Sequence, residues 1–212
     1  MKRTVLLMIL LALPSAASAA DPLLPPPRWS LEVKGGIIAP ELADFEQYYG
    51  KSTMPAFAVS LAYKWLPQIA LGIGAGMGSA TGNARAVYHG TPAGRVTYEL
   101  FPVNVFVVAR GVVKEDQLLI PYVGAGWTRM YYRQTVQDQG KLSGSADGYH
   151  VRGGLQLSLN EMDRSASSSM YTTYGILRTS FFIEAERTRA VESSTSVDLG
   201  GMAYLAGLLF EF

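Results

Sequence analysis

The 212-residue chain contains no cysteine, so neither disulfide stapling nor thiol chemistry contributes to its fold or function. It also lacks any long apolar run beyond Leu13, and a helical membrane span of about 20 residues is excluded. Charge of one sign is missing as well. Without Lys2 and Arg3, discussed below, the 18 Lys and Arg fall to 16, against 17 Asp and Glu. A near-neutral chain has no broad electrostatic hold on nucleic acid. Histidine is scarce, with only His89 and His150, and no His, Asp and Glu residues fall at metal-ligand spacing, so neither metal nor cofactor is expected.

What is present begins with Lys2 and Arg3, an apolar run of about nine residues to Leu13, Pro14, and the small-residue stretch 15–20. That is the pattern of a cleaved secretory signal over residues 1–20, with cleavage after Ala19 or Ala20. Residues 21–28 hold four prolines, cannot join a sheet, and read as an extended lead-in. The domain proper is expected over residues 29–212.

Within it, apolar residues recur with a period of two, the signature of half-buried strands. Phe57, Val59, Leu61, Tyr63 and Trp65 alternate with Ala56, Ala58, Ser60, Ala62 and Lys64. Ile69, Leu71, Ile73, Ala75 and Met77 alternate with Ala70 and four glycines. The pattern predicts eight strands, at residues 29–40, 54–65, 68–79, 96–112, 118–135, 148–159, 177–189 and 197–212. Longer polar connections at 41–53, 83–95 and 136–147 lie at one end, with tighter turns near Leu66 and Lys114 at the other. Asn160 begins a break in the rhythm. Met162, Ala166, Met170 and Tyr174 recur at helical spacing, predicting a short helix capped by Asn160 before the seventh strand.

The last strand places Tyr204, Ala206, Leu208, Phe210 and Phe212 on one face and stops on an aromatic residue. An open edge of this kind invites pairing with other chains, whereas a closed barrel removes it. The polar faces carry Glu32, Lys34, Lys64, Arg110, Arg152, Glu184, Glu186 and Glu211. A Lys or Arg facing lipid at mid-bilayer costs about 2–4 kcal/mol, so these residues are expected to line and ion-pair inside the lumen. Eight strands enclose a space that side chains fill, and glycines leave room for long neighbours. The expected fold is all-β, an eight-stranded antiparallel up-and-down transmembrane barrel with one short helix between strands 6 and 7.

Pro121-Tyr122-Val123-Gly124-Ala125-Gly126, Gly148-Tyr149-His150, Gly153-Gly154-Leu155 and the closing Gly207-Leu208-Leu209-Phe210-Glu211-Phe212 resemble the small outer-membrane barrel families of the OmpW, OmpX and OmpA-barrel kind. The chain most resembles an uncharacterised branch with a helix before the seventh strand. The resemblance implies an integral protein of the Gram-negative outer membrane that contacts lipid and lipopolysaccharide, and whose terminal strand is recognised by the barrel-assembly machinery. Trp29, Trp65, Trp127, Tyr131, Tyr204, Phe210 and Phe212 would form aromatic girdles and the assembly signal, and Arg129 and Arg133 would meet lipopolysaccharide phosphates. No ligand is specified.

Three functions remain: a non-enzymatic anchored barrel with outward loops, a narrow conduit for small molecules, and a lipid A hydrolase. The last would use His150, Ser158 and Glu184. His150 and Ser158 are eight residues apart on one strand, roughly 26 Å, which forbids the contact a triad needs. The Gly72, Gly74, Gly76, Gly78 run lacks the Lys-Ser or Lys-Thr and the strand-to-helix setting of a phosphate loop, and fits close-packed wall instead.

Overall fold

A computed structural model describes residues 27–42, 45–85, 92–114, 117–137, 140–160, 162, 164–192 and 197–212. The signal segment, most of the proline-rich lead-in and His89 lie outside the described residues.

Eight strands form one closed antiparallel barrel in sequence order: β1 (Trp29–Pro40), β2 (Met54–Leu66), β3 (Ile69–Arg85), β4 (Pro92–Arg110), β5 (Leu119–Val136), β6 (Gly140–Ser158), β7 (Arg178–Val191) and β8 (Gly201–Glu211). The seam is a full ladder from Ser30–Glu211 to Pro40–Gly201. Three backbone bonds reinforce its end: Arg28 N and Trp29 N donate to Phe212 O at 2.8 and 3.2 Å, and Phe212 N donates to Trp29 O at 2.9 Å.

Ladder partners followed once around the wall lead from Trp29 through Tyr63, Leu71, Val107, Ala125, Val151, Arg187 and Met202 back to β1 at Ala39. The circuit is thus displaced by ten residues, which at ordinary strand rise and spacing tilts the strands by roughly 40° around a backbone radius of roughly 8 Å. Side chains fill such a cylinder. Where two large residues would collide, glycine faces inward. A Cβ on Gly72 would lie 2.5 Å from the Phe106 ring, and one on Gly154 would lie 2.8 Å from the Tyr122 hydroxyl.

The burial pattern inverts that of a water-soluble domain. Ile73, Val105, Val107, Val123, Val151 and Ile183 stand exposed on the outer wall, Val123 at 63%, while Glu32, Lys34, Arg110, Arg152, Glu184 and Glu211 are buried, Arg152 at 2%. Apolar area spread over a whole wall exceeds what soluble monomers leave to water.

Three connections differ from the sequence expectation. Residues 83–85, 92–95, 136 and 140–147 of these segments are strand, because the β3–β4 and β5–β6 hairpins run on to Arg85, Pro92, Val136 and Gly140. Backbone pairing continues there although the outward face has turned polar, as at Lys141, Ser143, Ser145 and Asp147. β4 and β6, at 19 residues each, exceed the 9–11 needed to cross a bilayer, and their excess projects from one end. That end is called distal here; the other, with Trp29 and Phe212, is the terminal end. Segment 41–53 contains a one-turn helix, α1 (Phe45–Tyr49), closed by Gly50 at φ 67°.

The expected helix is present as α2 (Arg164–Tyr174), but Asn160 does not cap it. Asn160 lies four residues upstream and fastens the connection instead: its Nδ2 donates to Leu177 O at 2.8 Å and to Ser167 Oγ at 2.5 Å, and its Oδ1 accepts from Thr179 N at 2.8 Å. Met162 precedes the helix, and Tyr171 and Tyr174 are exposed. At the helix end Gly175, at φ 69°, donates its N–H to Tyr171 O.

Candidate functional site

Alternation along each strand sends one polar series into the lumen, and the ten-residue displacement decides which members meet. Glu32 on β1 bridges two cations: Arg152 Nη1 on β6 donates to its Oε2 at 2.9 Å, and Arg110 Nη2 on β4 to its Oε1 at 3.4 Å. Lys34 Nζ, one step along β1, donates to Glu184 Oε1 on β7 at 2.5 Å and lies 3.8 Å from Glu186. Glu184 Oε2 accepts the Tyr122 hydroxyl at 2.9 Å and lies 3.3 Å from Arg152. Lys64 and Glu211 form a separate pair near the terminal end. The eight lumen charges of the sequence reading thus stand in two ion-paired groups. Four acids offset four bases, so the low-dielectric interior carries no net formal charge from them. The Arg152 guanidinium also lies 4.0 Å from the Phe106 ring centroid, a cation–π contact.

Beside this layer Phe106, Tyr122, Phe182 and Leu209 form a small apolar cluster. Distal to it, past Thr128 and His150, an apolar cluster fills most of the lumen. Met54, Val96, Leu100, Met130, Ala146 and Ala190 turn inward, and α1 lowers Phe45 and Tyr49 onto them, with Tyr98 packed edge-on to Phe45 at 6.1 Å. Burial, with Tyr48 beside it, pushes the Tyr49 phenol up to about 12. The first distal connection is therefore an aromatic stopper. The composition of 41–53 predicts a polar loop, and the structure instead has a docked helical turn whose signal is the i,i+4 spacing of Phe45 and Tyr49.

His150 is buried, its Nδ1 3.1 Å from Thr128 Oγ1, and it bonds no serine among the described residues. Ser158 lies eight residues from His150, at the terminal end of β6, and Glu184 is occupied by Lys34 and Tyr122. The structure does not bring the three together. Nor do the described residues contain a cluster of His, Asp and Glu able to hold a metal.

On the outer wall Trp29, Trp65, Phe210 and Phe212 gather near the terminal end, where Trp29 meets Tyr63 edge-on at 5.1 Å. Trp127 and Tyr204 lie toward the distal end, with Tyr131 four residues farther along β5 than Trp127. Arg129 and Arg133 face outward there, 3.7 Å from Asp147 and 3.6 Å from Glu99. Arg187 and Arg189, not singled out in the sequence, share the outer wall. Arg187 is held by Glu41 through a two-bond fork, and Arg189 lies 3.6 Å from Asp198.

Solved structures share this closed, sheared barrel. Neisserial surface protein A superposes with a TM-score of 0.57 at 10% identity, covering 87% of this chain and 97% of that one. The outer membrane protein OprG from Pseudomonas aeruginosa superposes at 0.56 with 11% identity, covering 88% and 97%. This is the fold of the small outer-membrane barrels. No family model matches the sequence, and no curated protein matches it.

Proposed function

We propose that the chain is an integral, non-enzymatic protein of the Gram-negative outer membrane, exported by a signal peptide over residues 1–20 that is then cleaved. Its barrel is a closed anchor and its distal hairpins make the external contacts. The terminal end faces the periplasm and the distal end the outside, as fits short turns on one side and long hairpins on the other. The two aromatic groups form the interfacial girdles, Phe210 and Phe212 sit in the strand the assembly machinery reads, and Arg129 and Arg133 meet the lipopolysaccharide headgroup region.

One observation carries the closed-anchor reading. Two stacked plugs, the ion-paired layer around Glu32 and Glu184 and the aromatic stopper of Phe45 and Tyr49, occupy successive levels of the lumen. Reconstitution in planar bilayers tests it: no steady conductance is expected, and a stable large conductance would reverse it.

The conduit reading draws on one feature of the wall. The β3–β4 ladder omits the Gly76–Pro102 and Met77–Phe101 pairs although the register on either side is unchanged. Pro102 has no N–H to donate, which weakens the seam toward the lipid at that height. Leakage of a small apolar solute into vesicles that disappears in Pro102→Val would favour this reading over the anchor.

A further inference from the structure

Between the ion-paired layer and the apolar cluster, one level of the lumen is built almost without side chains. The ten-residue displacement brings Gly36, Ala58, Gly76, Gly126 and Ala203 to nearly one height on five strands, all facing inward. The other three strands place Asn104, His150 and Glu186 there. Lys34, Arg152 and Glu184 below and Met54, Leu100 and Met130 above are buried, yet Glu186 keeps 14% of its side chain accessible, and Ala58 and Asn104 are half-buried. Accessible surface between two sealed levels marks a small internal chamber beside Glu186.

The three larger residues at this level all have hydrogen-bonding capacity to spare. Glu32, Glu184 and Glu211 each hold a base, Arg152, Lys34 and Lys64 respectively. Glu186 holds none. Lys34 Nζ stands 3.8 Å from its Oε2 and turns to Glu184 at 2.5 Å, so Glu186 is left with the Thr188 hydroxyl, which donates to Oε1 at 3.3 Å. His150 Nδ1 meets Thr128, but its Nε2 makes no hydrogen bond within the protein, and neither does Asn104 Oδ1. Buried polar atoms left without partners are costly, and an occupant of the chamber would satisfy them.

We infer that this chamber is a binding site for a small primary ammonium ion, of the size of methylammonium, with Glu186 as its counter-charge. This rests on the closed-anchor reading above, since the two plugs bound the chamber. A primary ammonium carries three N–H donors, and the level offers three unspent acceptors: Glu186 Oε2, Asn104 Oδ1 and, in the tautomer whose Nδ1–H donates to Thr128, His150 Nε2. The last two atoms are covered, so binding turns both side chains toward Glu186. An anion would meet the Glu186 carboxylate instead. A divalent metal would need further carboxylates, and the nearest, Glu184, is already held by Lys34 and Arg152. The ligand enters past Phe45 and Tyr49, because the ion-paired layer closes the other side.

The test titrates carbon-13 methylammonium chloride into the mature barrel folded in detergent micelles and follows it by NMR. Saturable binding with a Kd of about 1–10 mM is expected, with Overhauser contacts from the ligand methyl group to the His150 ring and the Ala203 methyl. Glu186→Gln, which keeps the side chain's shape and leaves Lys34 on Glu184, should weaken binding by roughly tenfold or more, the worth of one charge-assisted contact. Ala58→Leu should abolish it by filling the chamber with Glu186 intact. Phe45→Ala with Tyr49→Ala should speed exchange without changing Kd, and Glu99→Gln, on the outer wall, should alter neither. Tetramethylammonium, larger and without N–H donors, should not bind. No saturable binding up to about 100 mM, which leaves water as the occupant, or equal binding by Glu186→Gln, overturns the inference. Equal binding of tetramethylammonium overturns the assignment to a primary ammonium. A barrel that passes no current in planar bilayers yet binds no methylammonium defeats this site alone, whereas a steady large conductance defeats the closed-anchor reading with it.

Discussion

Replacing Glu32 by glutamine keeps the side chain's shape and removes one charge from the centre of the lumen. Glu32 is 3% exposed and holds both Arg110 and Arg152. Arg152 retains Glu184 at 3.3 Å, but Arg110 is 3% exposed, and its Nε and Nη1 already make no hydrogen bond within the protein. The variant therefore leaves a buried guanidinium without its carboxylate. Breaking such a pair from one side costs about 3–5 kcal/mol, far more than a surface ion pair contributes. Adding Arg110→Met removes the stranded charge, so the double variant should recover much of the loss, with a coupling energy of at least about 1 kcal/mol. Urea unfolding of the protein in vesicles, followed by tryptophan fluorescence and by heat-dependent gel migration, reads both quantities. A Glu32→Gln loss below about 1 kcal/mol, or strict additivity with Arg110→Met, would refute a desolvated charge layer.

Phe45→Ala with Tyr49→Ala should free the first distal connection while the barrel stays folded, seen as fast proteolytic cleavage between β1 and β2 with unchanged heat-dependent migration. The docked Tyr49 phenol, raised from about 10 when unfolded to about 12, should resist ionisation at pH 11; stopper stability is complete below pH 10 and declines as pH climbs from 10 toward 12. Ultraviolet titration of the protein against its Tyr49→Phe variant would show this, and an unshifted phenol would mean that the stopper is undocked. Deleting Phe212 removes three backbone bonds at the β1–β8 seam and should prevent accumulation of the heat-modifiable form in the membrane; normal insertion would remove the terminal residue from the account.

The two environments of each strand were legible because the period of two is a direct image of lipid on one side and lumen on the other. Which acid meets which base was not, since it depends on the ten-residue displacement around the circuit, which no single strand encodes. The extensions of β3 to β6 are hidden for the opposite reason: over residues 140–147 the outward face turns polar (Lys141, Ser143, Ser145, Asp147) while the inward one holds Gly140, Leu142, Gly144 and Ala146, so the apolar alternation fades while pairing persists. Helix α1 is five residues long, too short to stabilise itself, and exists because Phe45 and Tyr49 dock on Met54 and Tyr98.

The chain has no cysteine of its own, so single cysteines can be placed along β7 without altering any other residue. Spin labels at positions 181 to 186, with the protein in vesicles, would be challenged with lipid-soluble oxygen and a water-soluble nickel chelate. Labels replacing Phe181, Ile183 and Ala185 should be reached by oxygen, and those replacing Phe182, Glu184 and Glu186 should be shielded from both reagents, in strict alternation. Equal access of the chelate to both sets would contradict a barrel with lipid outside and a filled, ion-paired interior.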